Sequence, residues 1–212
     1  MRNRFCRLFC LVLFSLSAAA VFAQEDFSAE IVKSNKGQQL SEGKIYVTKD
    51  KMRFESEGGN DRNAVAIVNF ATRTNRVLMP TQKMYIEMPG GMGPAAQRTR
   101  NFFRPADPEN ACSDWMKLTT KPGAECHKVG SATVNGRNTV EYEAKSSDGG
   151  AGHIWLDRKI VFPVKWDDKD GGGGELRNIK EGSQPASLFE IPSDYQKMDL
   201  GSMGMPGGAH PH

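Results

Sequence analysis

Four histidines, four cysteines and ten methionines hold most of the chemistry available to this chain. Soft and borderline donors crowd its end: Met198, Met203, Met205, His210 and His212. Thioether and imidazole groups suit copper, so one reading is a secreted protein that binds copper on its C-terminal tail. The competing reading is a low-complexity end, because chain termini tolerate almost any small or polar composition. Cys112, Cys126 and His127 lack the short cysteine-pair spacing of a zinc site. Glu141 with Glu143, and Asp167 and Asp168 with Asp170, are acidic clusters that strand alternation and a turn explain as solvated residues. No G-x-S-x-G elbow, H-E-x-x-H pair or glycine-rich phosphate loop occurs. The chain therefore reads as a non-enzyme, and nothing in it calls for a cofactor.

The N-terminus carries its own signature. Arg2, Arg4 and Arg7 precede an apolar stretch from Leu8 to Leu16, which is short for a membrane span. Val21-Phe22-Ala23 then offers a cleavage site, so residues 1–23 read as a secretory signal peptide. No cysteine follows the site, so no lipid anchor is expected. The leader holds three of the 28 basic residues and no acidic one, which leaves 25 of each sign in the exported chain. The basic pI belongs to the leader and makes no case for nucleic acid. Cys6 and Cys10 leave with it. Cys112 and Cys126 then have only each other in an oxidising compartment, and a disulfide between them is expected. The periplasm is the expected location, with an extracellular one open.

The rest is mostly short strands. Phe27, Ala29 and Ile31 alternate with polar residues, as do Ile45 and Val47, Met52 and Phe54, and Met84, Ile86 and Met88. Val65 to Phe70 is a short apolar run. Turn residues recur between these stretches, as in an antiparallel meander. The pattern breaks at Pro89. Residues 89–123 form an insert with a Gly/Pro loop, a short helix expected over Ala95–Arg104 and another over Asp107–Leu118. In the second, Asp107 would be the N-cap, with Pro108 at the first helical position and Met116 and Leu118 pointing inward. Strands resume at His127, with Asn135-Gly136 as a two-residue hairpin turn. Val140, Tyr142 and Ala144 alternate beyond it. His153–Asp167 is a further hairpin, turned at Asp157-Arg158-Lys159, with Pro163 at a bulge or open edge. Lys169–Gly174 reads as a flexible turn, Glu175–Lys180 as a strand and Leu188–Ile191 as a last strand or arm. Residues 201–212 are too poor in apolar residues to fold.

These strands carry one apolar and one charged face. About ten of them expose more apolar face than the insert alone can bury. The expected fold is α+β and mainly β: a strongly curved antiparallel sheet, an open half-barrel over residues 24–200. One or two short helices would lie as a lid on its concave face. An interior of this kind either keeps a cavity or fills with side chains. Its lining would draw on Phe27, Ile31, Ile45, Val47, Met52, Phe54, Met84, Ile86, Val140 and Tyr142. Methionine, soft and adaptable, suits a pocket for acyl chains.

Several stretches together resemble a known family. They are Gly43–Val47 running into Lys51–Glu55, Val77–Met88, Gly130–Gly136, the Trp155-x-Asp157-turn-Pro163-Val164-Lys165 hairpin, and Leu188–Met198. In this order they resemble the periplasmic outer-membrane lipoprotein carriers and a group of uncharacterised secreted relatives. The resemblance implies an incomplete antiparallel barrel with helices across its concave face, and a cavity for acyl chains. It implies a lipid or lipidated protein as partner, with an outer-membrane or envelope partner beyond it, and a monomer. It also implies a lid contact for an arginine in the third strand, here Arg53, although alternation points that residue outward.

Overall fold

The computed structural model of the protein describes residues 25–57, 64–89, 103–118, 122–145 and 150–199. The expected leader, the Gly58–Asp61 loop, residues 95–102 of the first lid helix and the tail 201–212 lie outside the described residues.

The strands are β1 Phe27–Asn35, β2 Gln38–Val47, β3 Lys51–Glu57, β4 Val65–Asn69, β5 Thr74–Met79 and β6 Met84–Pro89. A helix, α1, follows over Ala111–Leu118. Then come β7 Glu125–Val134, β8 Arg137–Lys145, β9 Ala151–Asp157, β10 Phe162–Asp168 and β11 Gly172–Glu181. A 3-10 turn, Ala186–Phe189, leads to the short β12, Gln196–Lys197. Together they form one twelve-stranded sheet, in the order β12-β6-β5-β4-β3-β2-β1-β11-β10-β9-β8-β7. The first and last strands of that order are not hydrogen-bonded to each other, so the sheet is open, as the half-barrel expectation required. Its two meanders meet where β1 pairs with β11, Phe27 opposite Glu181 and Ile31 opposite Leu176.

Turn chemistry follows the sequence closely. Lys36 and Gly37 have φ of 48° and 79°, and Asn135 and Gly136 have 49° and 77°. Two successive positive φ values match the twist of the flanking strands, which is why Asn-Gly is favoured there. At the β9–β10 turn, Asp157 Oδ1 accepts from the backbone N–H of Lys159 at 2.8 Å and of Ile160 at 2.9 Å. Pro163 sits at a bulge in the β9–β10 ladder, where its missing N–H is not needed.

Three local expectations need correction. Lys169–Gly174 is not wholly a turn, because β11 already begins at Gly172. A Cβ on Gly174 would lie 2.5 Å from Trp166 Cζ2, so glycine here makes room for the indole in a strand. The second lid helix begins at Ala111, not Asp107. Asp107 instead closes a turn, its Oδ1 accepting from Glu109 N at 2.9 Å and its carbonyl from Asn110 N at 3.1 Å. Met116 faces solvent at 41% exposure, and the inward face is Ala111, Cys112 and Trp115. Of the two readings of Leu188–Ile191, a last strand or an arm, the arm holds, and its first half closes a 3-10 turn.

Three apolar clusters hold the sheet. The largest joins Phe27, Ile31, Ile45, Val47, Met52, Phe162, Val164 and Leu176, with Phe103 of the lid packed against it. Phe103 stacks on Phe162 at 6.3 Å and meets Trp166 edge-on at 5.1 Å. The second places Ala106 and Ala111 on Val140, Tyr142 and Leu156. The third lies on the opposite side of the sheet: Val65, Ile67 and Leu78 bury Phe189 of the C-terminal arm. The insert is thus not the only cover, and β4 is apolar on both faces.

Candidate ligand-binding face

Pairing register sorts the side chains onto two faces. Val47 opposes Met52 and Ile45 opposes Phe54. Phe54 opposes Ala66, Ala66 opposes Val77, and Val77 opposes Ile86. Directly opposed residues share a face, so all of these look toward the lid. Tyr46, Arg53, Ile67, Leu78 and Tyr85 alternate with them and look toward the C-terminal arm.

The ten residues expected to line a cavity separate into three groups. Phe27, Ile31, Ile45, Val47 and Met52 lie in the largest cluster, none more than 4% exposed, with half-buried Phe54 against them. Val140 and Tyr142 lie beneath the lid at 0% and 1%. Tyr142 Oη donates to Pro108 O at 2.9 Å and accepts from Ala111 N at 3.3 Å. Burial pushes the Tyr142 phenol up, so it stays a neutral donor. Met84 and Ile86 belong to none of the three clusters and are only half-buried.

Those last two continue a row. Val77, Met79, Met84, Ile86 and Met88 are all half-buried on the lid face of β5 and β6. Asn75 sits in the same row, opposite Val68 and Met88, at 8% exposure. Its side-chain Oδ1 is buried and has no hydrogen-bond partner among the described residues. A buried acceptor left unpaired is uncommon and costly, and it marks a place where a donor fits. Sequence reasoning missed Asn75; its one signal was a polar residue at an inward position between Val68 and Met88.

Arg53 turns away from this face. Its Nη1 donates to Leu188 O at 2.8 Å and its Nε to Glu55 Oε1 at 2.6 Å. These two partners lie in the C-terminal arm and in its own strand. The Cys112–Cys126 disulfide is formed, tying α1 to β7. Of the alternative metal donors, only Met198 lies within the described residues. Among those residues, no group of three His, Cys, Asp or Glu side chains could hold a metal ion.

Two surface grooves lie elsewhere. One of about 450 Å³ is lined by Ser28, Glu30, Lys44, Tyr46 and Lys180 on the arm side. The other, about 540 Å³, runs along Gly171–Gly174 beside Trp166, Lys165 and Arg177. None of the ten expected residues lines either. Beyond them, His153 Nδ1 lies 2.7 Å from Glu141 Oε1, and the His153 ring stacks on Trp155 under Lys165. These contacts account for the acidic residue at Glu141.

No known family profile matches the sequence, and no curated protein matches it. Solved structures do match in shape. A LolA superfamily protein from Nitrosomonas europaea is 10% identical with a TM-score of 0.35, over 80% of this chain and 91% of that one. MucB in the Pseudomonas aeruginosa MucA/MucB complex is 16% identical with a TM-score of 0.49, over 81% of this chain and 57% of that one. An uncharacterised conserved protein from Thermus thermophilus is 9% identical with a TM-score of 0.54, over 82% of this chain and 90% of that one. At such identities the likeness concerns the fold alone, and the open curved sheet described above is the fold that this chain shares with the Thermus protein.

Proposed function

We propose that this is an exported, non-catalytic binding protein of the periplasm whose ligand is a lipid, a lipoprotein or another apolar molecule. The carrying observation is the half-buried row Phe54, Val77, Met79, Met84, Ile86 and Met88, with the unpartnered Asn75 Oδ1 set into it. An apolar chain laid along this row would bury surface at about 25 cal/mol per Å². A hydroxyl or amide of the same ligand would satisfy Asn75. The leader-like N-terminus and the disulfide support export. The motif resemblance to lipoprotein carriers supports the ligand class.

This reading relocates the site. The deep part of the lid face is filled, so the ligand belongs at the β5–β6 end rather than among Phe27, Ile31 and Val47. Native mass spectrometry of the protein purified from its own envelope should find a co-purified lipid. Titration with an environment-sensitive fatty-acid probe should give saturable binding at a single site. Absence of both would remove the reading.

A further inference from the structure

The lid face of β1–β6 carries almost no charge. Lys33 of β1 shares that face with Ile31, two residues before it. Among the described residues of β1–β6 that look toward the lid, Lys33 is the only charged one. It is exposed, and its ammonium forms no ion pair with a described residue. Lys33 Nζ instead lies 5.6 Å from the centroid of the Phe54 ring, within reach of a cation–π contact. The backbone arranges this meeting. A Cβ on Gly43 would lie 2.9 Å from Phe54 Cε2, so glycine there lets the ring lean across β2 toward β1. From Phe54 an apolar track crosses the sheet. Phe54 opposes Ala66, Ala66 opposes Val77 and Val77 opposes Ile86, and all four are half-buried. Three gaps between neighbouring strands, each about 4.8 Å, make this track about 14 Å long.

We propose that Lys33 anchors the carboxylate of a long-chain fatty acid whose chain lies along Phe54, Ala66, Val77 and Ile86. The proposal rests on the apolar-ligand reading above and narrows it to one head group. A single ammonium matches a single negative charge. Phosphate head groups favour the bidentate fork of arginine, and no arginine joins Lys33 among the described lid-face residues of β1–β6. Three N–H donors on Nζ leave room for a carboxylate beside the ring. An acyl chain laid over Phe54 would exclude water from one side of the ion pair and strengthen it. An uncharged head gains nothing from Lys33, and a cationic head is repelled by it. Asn75 stands in the neighbouring, deeper row, and the anchor does not draw on it.

The test uses the full chain at about pH 8, where a fatty acid is ionised and lysine protonated. Dodecanoate, 1-dodecanol and dodecylamine each displace an uncharged, environment-sensitive apolar probe. The parent should bind dodecanoate about three- to tenfold more tightly than 1-dodecanol, the span from an exposed ion pair to a charge-assisted hydrogen bond. Dodecylamine should bind weakest. Lys33→Met should erase the preference for dodecanoate and leave the affinity for 1-dodecanol unchanged. Lys33→Glu should turn the preference toward dodecylamine. Lys44→Met, on the arm face where Lys44 Nζ pairs with Glu57 Oε1 at 3.2 Å, should leave it intact. Equal affinity of the parent for dodecanoate and 1-dodecanol would overturn the anchor while the apolar-ligand reading stands. So would a preference that survives in Lys33→Met. Binding of none of the three would remove that reading and the anchor with it.

Discussion

Arg53 Nη1 holds the main-chain oxygen of Leu188 at 2.8 Å, across 135 residues of sequence. The bond fixes the 3-10 turn of the C-terminal arm, and next to it Phe189 inserts among Val65, Ile67 and Leu78 at 4% exposure. The arm is therefore part of the core, not an appendage. Phe189→Ala should cost about 3–5 kcal/mol, the usual penalty for emptying a buried aromatic site. Urea unfolding monitored by circular dichroism measures it; a cost under about 1 kcal/mol, typical of a surface change, would mean the arm does not seal that face.

Tyr142 is expected to act as a fastener for the lid. Phenylalanine would keep its ring, and with it the edge contact to Trp115 at 5.5 Å. The substitution would leave Ala111 N and Pro108 O without their partner. Tyr142→Phe should destabilise by about 1–3 kcal/mol, the desolvation cost of a buried group left unpaired. Apolar-probe affinity should be unchanged. A variant with normal stability and lost probe binding would move Tyr142 into the ligand site.

Charge ties β8 and the β9–β10 turn to the end of β11. Lys159 first, then Arg137, holds the Glu181 carboxyl at about 2, well below its ordinary 4.5. Arg137 Nη2 lies 2.7 Å from Glu181 Oε1, and Arg137 also pairs with the buried Asp157. A depressed carboxyl stabilises the fold fully above its unfolded pKa and loses that contribution as pH falls through the folded value. The contribution of Glu181 should thus disappear between pH 4.5 and about 2. Glu181→Gln should be less stable than the parent at neutral pH and converge with it near the bottom of that window. Parallel acid limbs for the two proteins would contradict the assignment.

Two glutamate substitutions separate a solid interior from a binding face. Ile45 is 1% exposed, whereas Ile86 is half-buried in the row beside Asn75. A carboxylate at Ile45 has no water and no partner, so Ile45→Glu should cost several kcal/mol and prevent folding. Ile86→Glu should fold, because its carboxylate reaches solvent, and should lose apolar-probe binding. Thermal melts and probe titration of the pair decide it. Unfolding of both would make the β5–β6 end core as well.

The disulfide should matter for the lid. Cys112 and Cys126 join α1 to β7 across 14 residues. Replacing both by serine should cost about 3 kcal/mol on the chain-entropy view of a loop this size. Free-thiol labelling of the denatured, unreduced protein without residues 1–23, and so without Cys6 and Cys10, should detect no reactive cysteine. Two thiols per chain would remove the cross-link.

Local chemistry was legible in the sequence because it acts over a few residues. Asn135-Gly136 announced its turn, Asp157 its backbone bonds, Pro163 its bulge, and period-two alternation most of the strands. The even pair Cys112 and Cys126 announced the cross-link. What the sequence could not determine is which strands meet far apart in the chain and what covers each face. Alternation sorts residues within one strand; only pairing register puts Tyr46, Arg53 and Leu78 on one side, and only the fold packs Phe189 there. Alternation marks Ile45 and Ile86 as equally inward, yet one lies in the packed centre and the other near an edge. Asn75 became a site residue only when pairing with Val68 and Met88 buried its acceptor without a donor. Met198 comes to lie beside Ile86 only because β12 pairs with β6. Long-range pairing and burial depend on how the whole open sheet curves and is covered, and no local pattern encodes them.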